Sequence, residues 1–143
     1  DGKLNDGLPA MLVDSTQEEG LKSGVMILQY TAASLALENQ VLASPDSVHS
    51  LPTSGGQEDH NANAMNAAKH ALQIIENLRN ILSIELFVAS RAVELRMRSN
   101  NKLGIINQQT YDKIRSQIPF SPDDKIWSKD INKLTQMLRE QRI

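Results

Sequence analysis

Residues 58–98 read EDHNANAMNAAKHALQIIENLRNILSIELFVASRAVELRMR, and the chain then meets no Gly or Pro until Gly104. Such a run predicts one helix from about Glu58 to Arg98, roughly 60 Å long at about 1.5 Å per residue. Its apolar residues form two stripes. One is Ile74, Leu78, Ile81, Val88, Ala92 and Leu95; the other is Leu72, Ile75, Leu82, Leu86, Ala89 and Val93. Two stripes require neighbours on two sides. The small row Ala64, Ala67, Ala68 and Ala71 permits close backbone approach, and Arg96 and Arg98 suit the negative end of the helix dipole.

Just upstream lies Pro52-Thr53-Ser54-Gly55-Gly56-Gln57-Glu58-Asp59-His60. Pro45 and Pro52 bracket a loop over residues 43–57, and Gly55-Gly56 supply backbone freedom. The loop delivers a charged, hydrogen-bonding cluster onto the start of the long helix. Placed in the first turn, Glu58 shares a face with Asn61, Ala62 and Met65, while His60 points to the side of Ala64 and Ala67.

Further upstream, Ser23 to about Val41 reads as a helix with Ser23 as its N-cap. No charge occurs between Lys22 and Glu38, and apolar residues fall on every side: Val25, Met26, Ile27, Leu28, Ala32, Ala33, Leu35, Ala36 and Leu37. The segment is too short and, with Gln29, Tyr30, Thr31 and Ser34, too polar to cross a membrane. It reads as the central helix of a bundle. A chain of 143 residues can hardly surround it unaided, so other subunits or a further part of the protein must cover it, and alone the chain should self-associate.

The remainder is simpler. Asn5-Asp6-Gly7-Leu8-Pro9 is a turn, Ala10-Met11-Leu12-Val13 an apolar patch that packs on something, and Gly20 closes the polar run from Asp14 to Glu19. After Ser99-Asn100-Asn101 come a helix near Asn107 to Gln117 and another from about Ser128, a capping candidate, to near Arg142, with Ile131, Leu134 and Leu138 as its apolar face. Pro119 and Pro122 separate them. No stretch alternates like a strand, so the fold class is all-α, a long-helix bundle in a single domain over 1–143. A net charge of -2 makes no electrostatic case for nucleic acid or an anionic membrane. The absence of cysteine excludes disulfides and thiolate chemistry and fits a reducing, cytoplasmic setting. A first residue of Asp rather than Met suggests a piece of a longer chain or a processed one.

For Glu58 two readings stand together: a functional carboxylate, or an acid that merely complements the helix dipole beside a capping Asp59. His49, Glu58, Asp59, His60 and His70 are close in sequence, but no His pair has the i,i+4 spacing of a helical metal site. Ser54 near His60 lacks the strand-turn-helix setting of a nucleophile. Arg91, Arg96, Arg98 and Lys102 read as a solvated or inter-subunit helix end rather than an anion site. Glu85, inside an apolar run, reads as a paired or interface carboxylate.

An ordered series of motifs identifies more. Gly7-Leu8-Pro9, Ser23-Gly24-Val25-Met26-Ile27-Leu28-Gln29 with Thr31-Ala32-Ala33, Ala36-Leu37-Glu38-Asn39, Ser47-Val48, Ser50-Leu51-Pro52-Thr53-Ser54 and above all Gln57-Glu58-Asp59-His60 resemble the C-terminal half of the histidine ammonia-lyases, in the aromatic amino acid lyase family. Ile84-Glu85-Leu86, Tyr111 with Arg115 and Pro119, Asp124-Lys125 and Asp130-Ile131 continue the resemblance, with Lys125 where Arg is usual. Asn61-Ala62-Asn63 and His49 depart from the family's pattern.

The resemblance implies the all-α, L-aspartase-like lyase fold and a homotetramer whose active sites draw on three subunits. It implies elimination of ammonia from L-histidine to give urocanate, through a methylidene-imidazolone (MIO) made from an internal Ala-Ser-Gly. No Ala-Ser-Gly occurs here, and Thr53-Ser54-Gly55 lies in a different motif, so the MIO is expected from an upstream part of the same protein. Glu58 is the one active-site residue the resemblance carries over, as a catalytic and substrate-binding carboxylate facing the imidazole. A non-catalytic helical assembly module, or a lyase or aminomutase acting on tyrosine or phenylalanine, are the other readings.

Overall fold

The computed structural model describes residues 5–14, 20–99 and 102–143; the polar run 15–19 and the pair at 100–101 lie outside them. Four α-helices account for the described architecture: α1 Met26–Leu42, α2 Ala64–Met97, α3 Ile105–Gln117 and α4 Ser128–Arg139. Short 3-10 turns occupy Ala10–Leu12, Asp46–His49 and Ser54–Gly56, and the described residues contain no strand. The all-α expectation holds.

α2 is the axis. Its 34 residues extend about 50 Å. α1 and α4 both run antiparallel to it. Asn77 of α2 meets Glu38 and Asn39 near the end of α1, while Ile81, Ile84 and Val88 share a groove with Gln29 and Ala32 nearer its start. On the other flank Thr135 of α4 donates to Ser83, and Arg139 pairs with Glu76. That ion pair draws the Glu76 carboxyl below its ordinary range.

The core is small: Leu12, Val25, Leu28, Ile84, Phe87, Ile114, Ile118, Trp127, Ile131, Leu134 and Met137. The fully buried side of α2 is neither expected stripe. It is the line between them, Asn77, Ser83, Ile84, Phe87, Ser90 and Arg91. The stripes flank this line: Val88, Ala92 and Leu95 of the first and Leu86 of the second are partly buried against the core, while Leu72, 65% exposed, and Leu82, 47% exposed, stay open. The alanine row at the start of α2 is exposed as well. On α1 Leu28 is buried, whereas Ile27, Tyr30, Leu37 and Val41 are exposed. An open groove of about 540 Å³ runs past Ile27, Leu28, Leu35, Ile126, Trp127 and Ile131. The expected shortage of cover for α1 and α2 is thus visible in the structure.

Buried polar groups order the core. The Arg91 guanidinium, 2% exposed, donates through Nε to the Leu12 carbonyl at 2.8 Å and through Nη1 to the Ser121 carbonyl at 2.6 Å. It also stacks over Phe120 at 4.9 Å and Trp127 at 5.5 Å, and burial pushes its pKa down. Trp127 Nε1 donates to the Gly24 carbonyl at 2.9 Å. Gly24 has φ +53, and a Cβ there would sit 2.2 Å from the Met11 carbonyl oxygen.

Several helix ends differ from their expected places. α1 begins at Met26, not Ser23. No side chain caps it locally; instead the Ser23 and Gly24 N–H groups donate to the Asp124 carboxylate at 2.7 and 3.0 Å. Ser128 is the first residue of α4 and makes no capping hydrogen bond. Arg96 and Arg98 close onto the N-terminal arm, Arg96 to Asp6 at 2.7 Å and Arg98 to Asp14. The Asp14 carboxylate raises the Arg98 pKa. The reading of that cluster as a solvated or inter-subunit helix end is corrected for Arg91, which is buried, and for Arg96 and Arg98, which pair within the chain.

Candidate functional site

The largest correction concerns Glu58. Helix α2 starts at Ala64, so Glu58 to Asn63 lie outside it and Glu58 is not in a helical first turn. The break is physical. Asn63 takes the left-handed conformation at φ 52 and ψ 29, which an Asn tolerates and a helix interior does not. Asp59 caps nothing, because the start of α2 has no side-chain cap.

Glu58 instead belongs to a tight reversal. The Thr53 N–H donates to the Glu58 carbonyl at 2.8 Å, and the Glu58 N–H returns to the Thr53 carbonyl at 3.3 Å. Ser54, Gly55 and Gly56 turn the chain between them with φ of 51, 64 and 87. Two glycines lower the steric cost of that left-handed run. The Thr53 hydroxyl donates to Glu58 Oε2 at 3.0 Å, which fixes the carboxylate's orientation while the residue stays exposed.

Around this turn the rest of the loop is tied together. The Asn61 N–H donates to Ser50 Oγ at 2.6 Å, and the Asn63 N–H to Asn61 Oδ1 at 3.2 Å. Asn63 Nδ2 donates to the Asp46 carbonyl at 3.1 Å, joining the two ends of the loop. The Asp46 carboxylate also faces His70 Nδ1 on α2 at 3.2 Å. At the end of α1, buried Asn77 donates to Glu38 Oε2 and Asn39 Oδ1.

The structure does not assemble the acids and histidines into a metal site. Among the described residues no group of three or more His, Cys, Asp or Glu could hold an ion. His49, Asp59 and His60 are exposed, and His70 is engaged with Asp46. Glu85 is exposed beside the groove containing Met11 and Gln29. Tyr111 and Arg115 are remote in role: the Tyr111 hydroxyl donates to Glu94, Arg115 pairs with Glu94 at 3.4 Å, and together they bind α3 to α2. Burial, then the Glu94 carboxylate, raises the Tyr111 pKa. Sequence reading did not single out Thr53, Asp46 or Asn63 as supports of Glu58. The three asparagines at 61, 63 and 66 were the available signal, since Asn favours turns and left-handed backbone.

The site's chemistry is that of an oriented, accessible carboxylate on a closed loop, and comparison with known proteins gives it a context. The family model for aromatic amino acid lyase matches residues 1–116. A histidine ammonia-lyase of Halalkalibacterium halodurans is 43% identical over 96% of this chain and 26% of its own length. One from Bacillus anthracis is 44% identical over the same shares. The crystal structure of histidine ammonia-lyase from Trypanosoma cruzi superposes with a TM-score of 0.89 at 33% identity, over 99% of this chain and 27% of that one. Tyrosine aminomutase from Streptomyces globisporus superposes with a TM-score of 0.87 at 29% identity, over 99% and 26%. The chain spans about a quarter of the length of the relatives it matches. With most of its residues under the family model and its helices laid out as in these lyases, the chain belongs to the aromatic amino acid lyase family.

Proposed function

We propose that this chain is the C-terminal part of a cytoplasmic histidine ammonia-lyase that eliminates ammonia from L-histidine to give urocanate, and that Glu58 is its contribution to the active site. The observation that carries the proposal is the presentation of Glu58: accessible, held by Thr53, on a loop whose ends are joined, in a chain 42–44% identical to histidine ammonia-lyases. A carboxylate accepts a charge-assisted hydrogen bond from an imidazole N–H. A phenyl ring has no donor with which to offset the desolvation of that carboxylate, so Glu58 favours histidine over phenylalanine. At the substrate it also has the chemistry of a proton acceptor.

The family's MIO group does not fit this chain's own residues. There is no Ala-Ser-Gly, and Thr53-Ser54-Gly55 forms an exposed turn bonded to Glu58. On this reading the electrophile comes from an upstream part of the full-length protein. The exposed apolar sides of α1 and α2 support the remaining element, a homotetramer in which these helices pack against upstream helices and other subunits.

The test is urocanate formation from L-histidine by the full-length protein carrying this sequence, intact and as Glu58→Gln, with oligomeric state followed by gel filtration. A charge-assisted hydrogen bond contributes about 1.5–3 kcal/mol, so kcat/KM should fall by roughly one to two orders of magnitude with the tetramer retained. Undiminished activity in Glu58→Gln would refute the role of Glu58. Turnover of tyrosine or phenylalanine but not histidine by the intact protein would refute the substrate.

A further inference from the structure

The Glu58 loop is held by two kinds of contact. The Thr53–Glu58 pairing and the Ser50–Asn61 hydrogen bond lie within the loop and set its shape. They do nothing to place that shape relative to α2. Beside the chain's own continuity through Asn63 into α2, Asp46 at the loop's first turn adds a side-chain contact to that helix. Its carbonyl accepts from Asn63 Nδ2, and its carboxylate, 19% exposed, faces His70 Nδ1 at 3.2 Å. His70 Nδ1 is shielded from solvent. Nδ1 has no aligned hydrogen-bond partner among the described residues, and the Asp46 carboxylate is the polar group it faces, so the pair is a close polar contact rather than a completed hydrogen bond. His70 sits in the second turn of α2, where helical hydrogen bonds hold its backbone.

We propose that the Asp46–His70 pair is a latch that fixes the Glu58 loop against α2, making both positioning residues for substrate binding. The proposal rests on the reading of Glu58 given above and assigns that carboxylate its mechanical support. Without the latch the loop keeps its internal turn, but its first half pivots about the Asn63 junction and carries Glu58 with it. Displacement of a substrate-contacting group by about 1 Å is enough to weaken binding severely.

The experiment uses the full-length protein with three variants. His70→Leu keeps bulk without a donor, His70→Asn keeps a donor near the Nδ1 position, and Asp46→Ala removes the acceptor. Amide hydrogen exchange at Thr53, Glu58, Asn61 and Asn63 is read beside KM and kcat for L-histidine. His70→Leu and Asp46→Ala should each speed exchange across the loop and raise KM roughly threefold to tenfold with a smaller change in kcat, and His70→Asn should restore both. Unchanged exchange in His70→Leu and Asp46→Ala overturns the latch, as does a His70→Asn variant no better than His70→Leu. Glu58→Gln, measured in parallel, separates the two ideas: parental KM and kcat there would sink the role of Glu58, while the exchange data still decide the latch.

Discussion

Replacing Arg91 should strongly destabilise the core, and the reason is hydrogen bonding rather than charge. Arg91→Leu strands two carbonyls, those of Leu12 and Ser121, that the guanidinium now satisfies. Each buried acceptor left unpaired costs about 1–3 kcal/mol. Loss of stacking over Phe120 and Trp127 adds roughly 0.5–2 kcal/mol. Against this, the buried cation is no longer desolvated, a relief consistent with its lowered pKa. The net destabilisation should be about 3 kcal/mol. Arg91→Lys preserves the charge but not the planar fork, and should recover less than half of the loss. The chain's one tryptophan, Trp127, lies against the guanidinium and reports directly. Urea unfolding by its fluorescence, at one fixed chain concentration because association is linked to stability, should show the midpoint of Arg91→Leu lowered by about 1–3 M. A Lys variant as stable as the parent would mean that Coulomb attraction holds this junction, and a Leu variant within about 1 kcal/mol of the parent would refute the estimate.

Two further outcomes follow from neighbouring geometry. Gly24→Ala should destabilise by about 2–4 kcal/mol, since its Cβ meets the Met11 backbone and φ is left-handed, whereas Gly55→Ala, with open space around it, should cost only about 1 kcal/mol; equal losses in urea melts would refute the clash. Tyr111 has a raised pKa, so its contribution is complete below its unfolded value near 10 and is lost as pH rises through the folded one; in Tyr111→Phe that alkaline loss should shrink, and an unchanged pH–stability curve would contradict it.

Element type was readable because it depends on local composition. The Gly- and Pro-free run made α2 plain, and the uncharged stretch before Glu38 made both α1 and its lack of cover plain. Helix starts were less readable because their partners are distant. Ser23 looked like an N-cap, but the acceptor for its N–H is the Asp124 side chain. At Glu58 local propensity misled, because Ala- and Met-rich sequence beyond Asn63 continued the helical pattern backwards past a left-handed Asn. The inward line of α2 was hidden for another reason. Asn77, Ser83, Ser90 and Arg91 are polar types that become core only when specific acceptors and hydroxyls meet them. Glu58 stands out as a candidate from its motif alone, while its hydrogen bond from Thr53 required the turn to be seen.

The Asp124 carboxylate that receives the Ser23 and Gly24 amides has a bearing on how the chain comes off the ribosome. The seat of α1 is completed by residues made about 100 positions later, together with the Trp127 indole that grips Gly24. At about 5–20 residues per second, that is a wait on the order of 5–20 s during which a largely apolar helix, with Glu38 as its one charge, has no finished berth. Newborn chains should therefore depend on chaperones over this interval, and truncations that stop before residue 124 should partition to aggregates even though every residue of α1 is present.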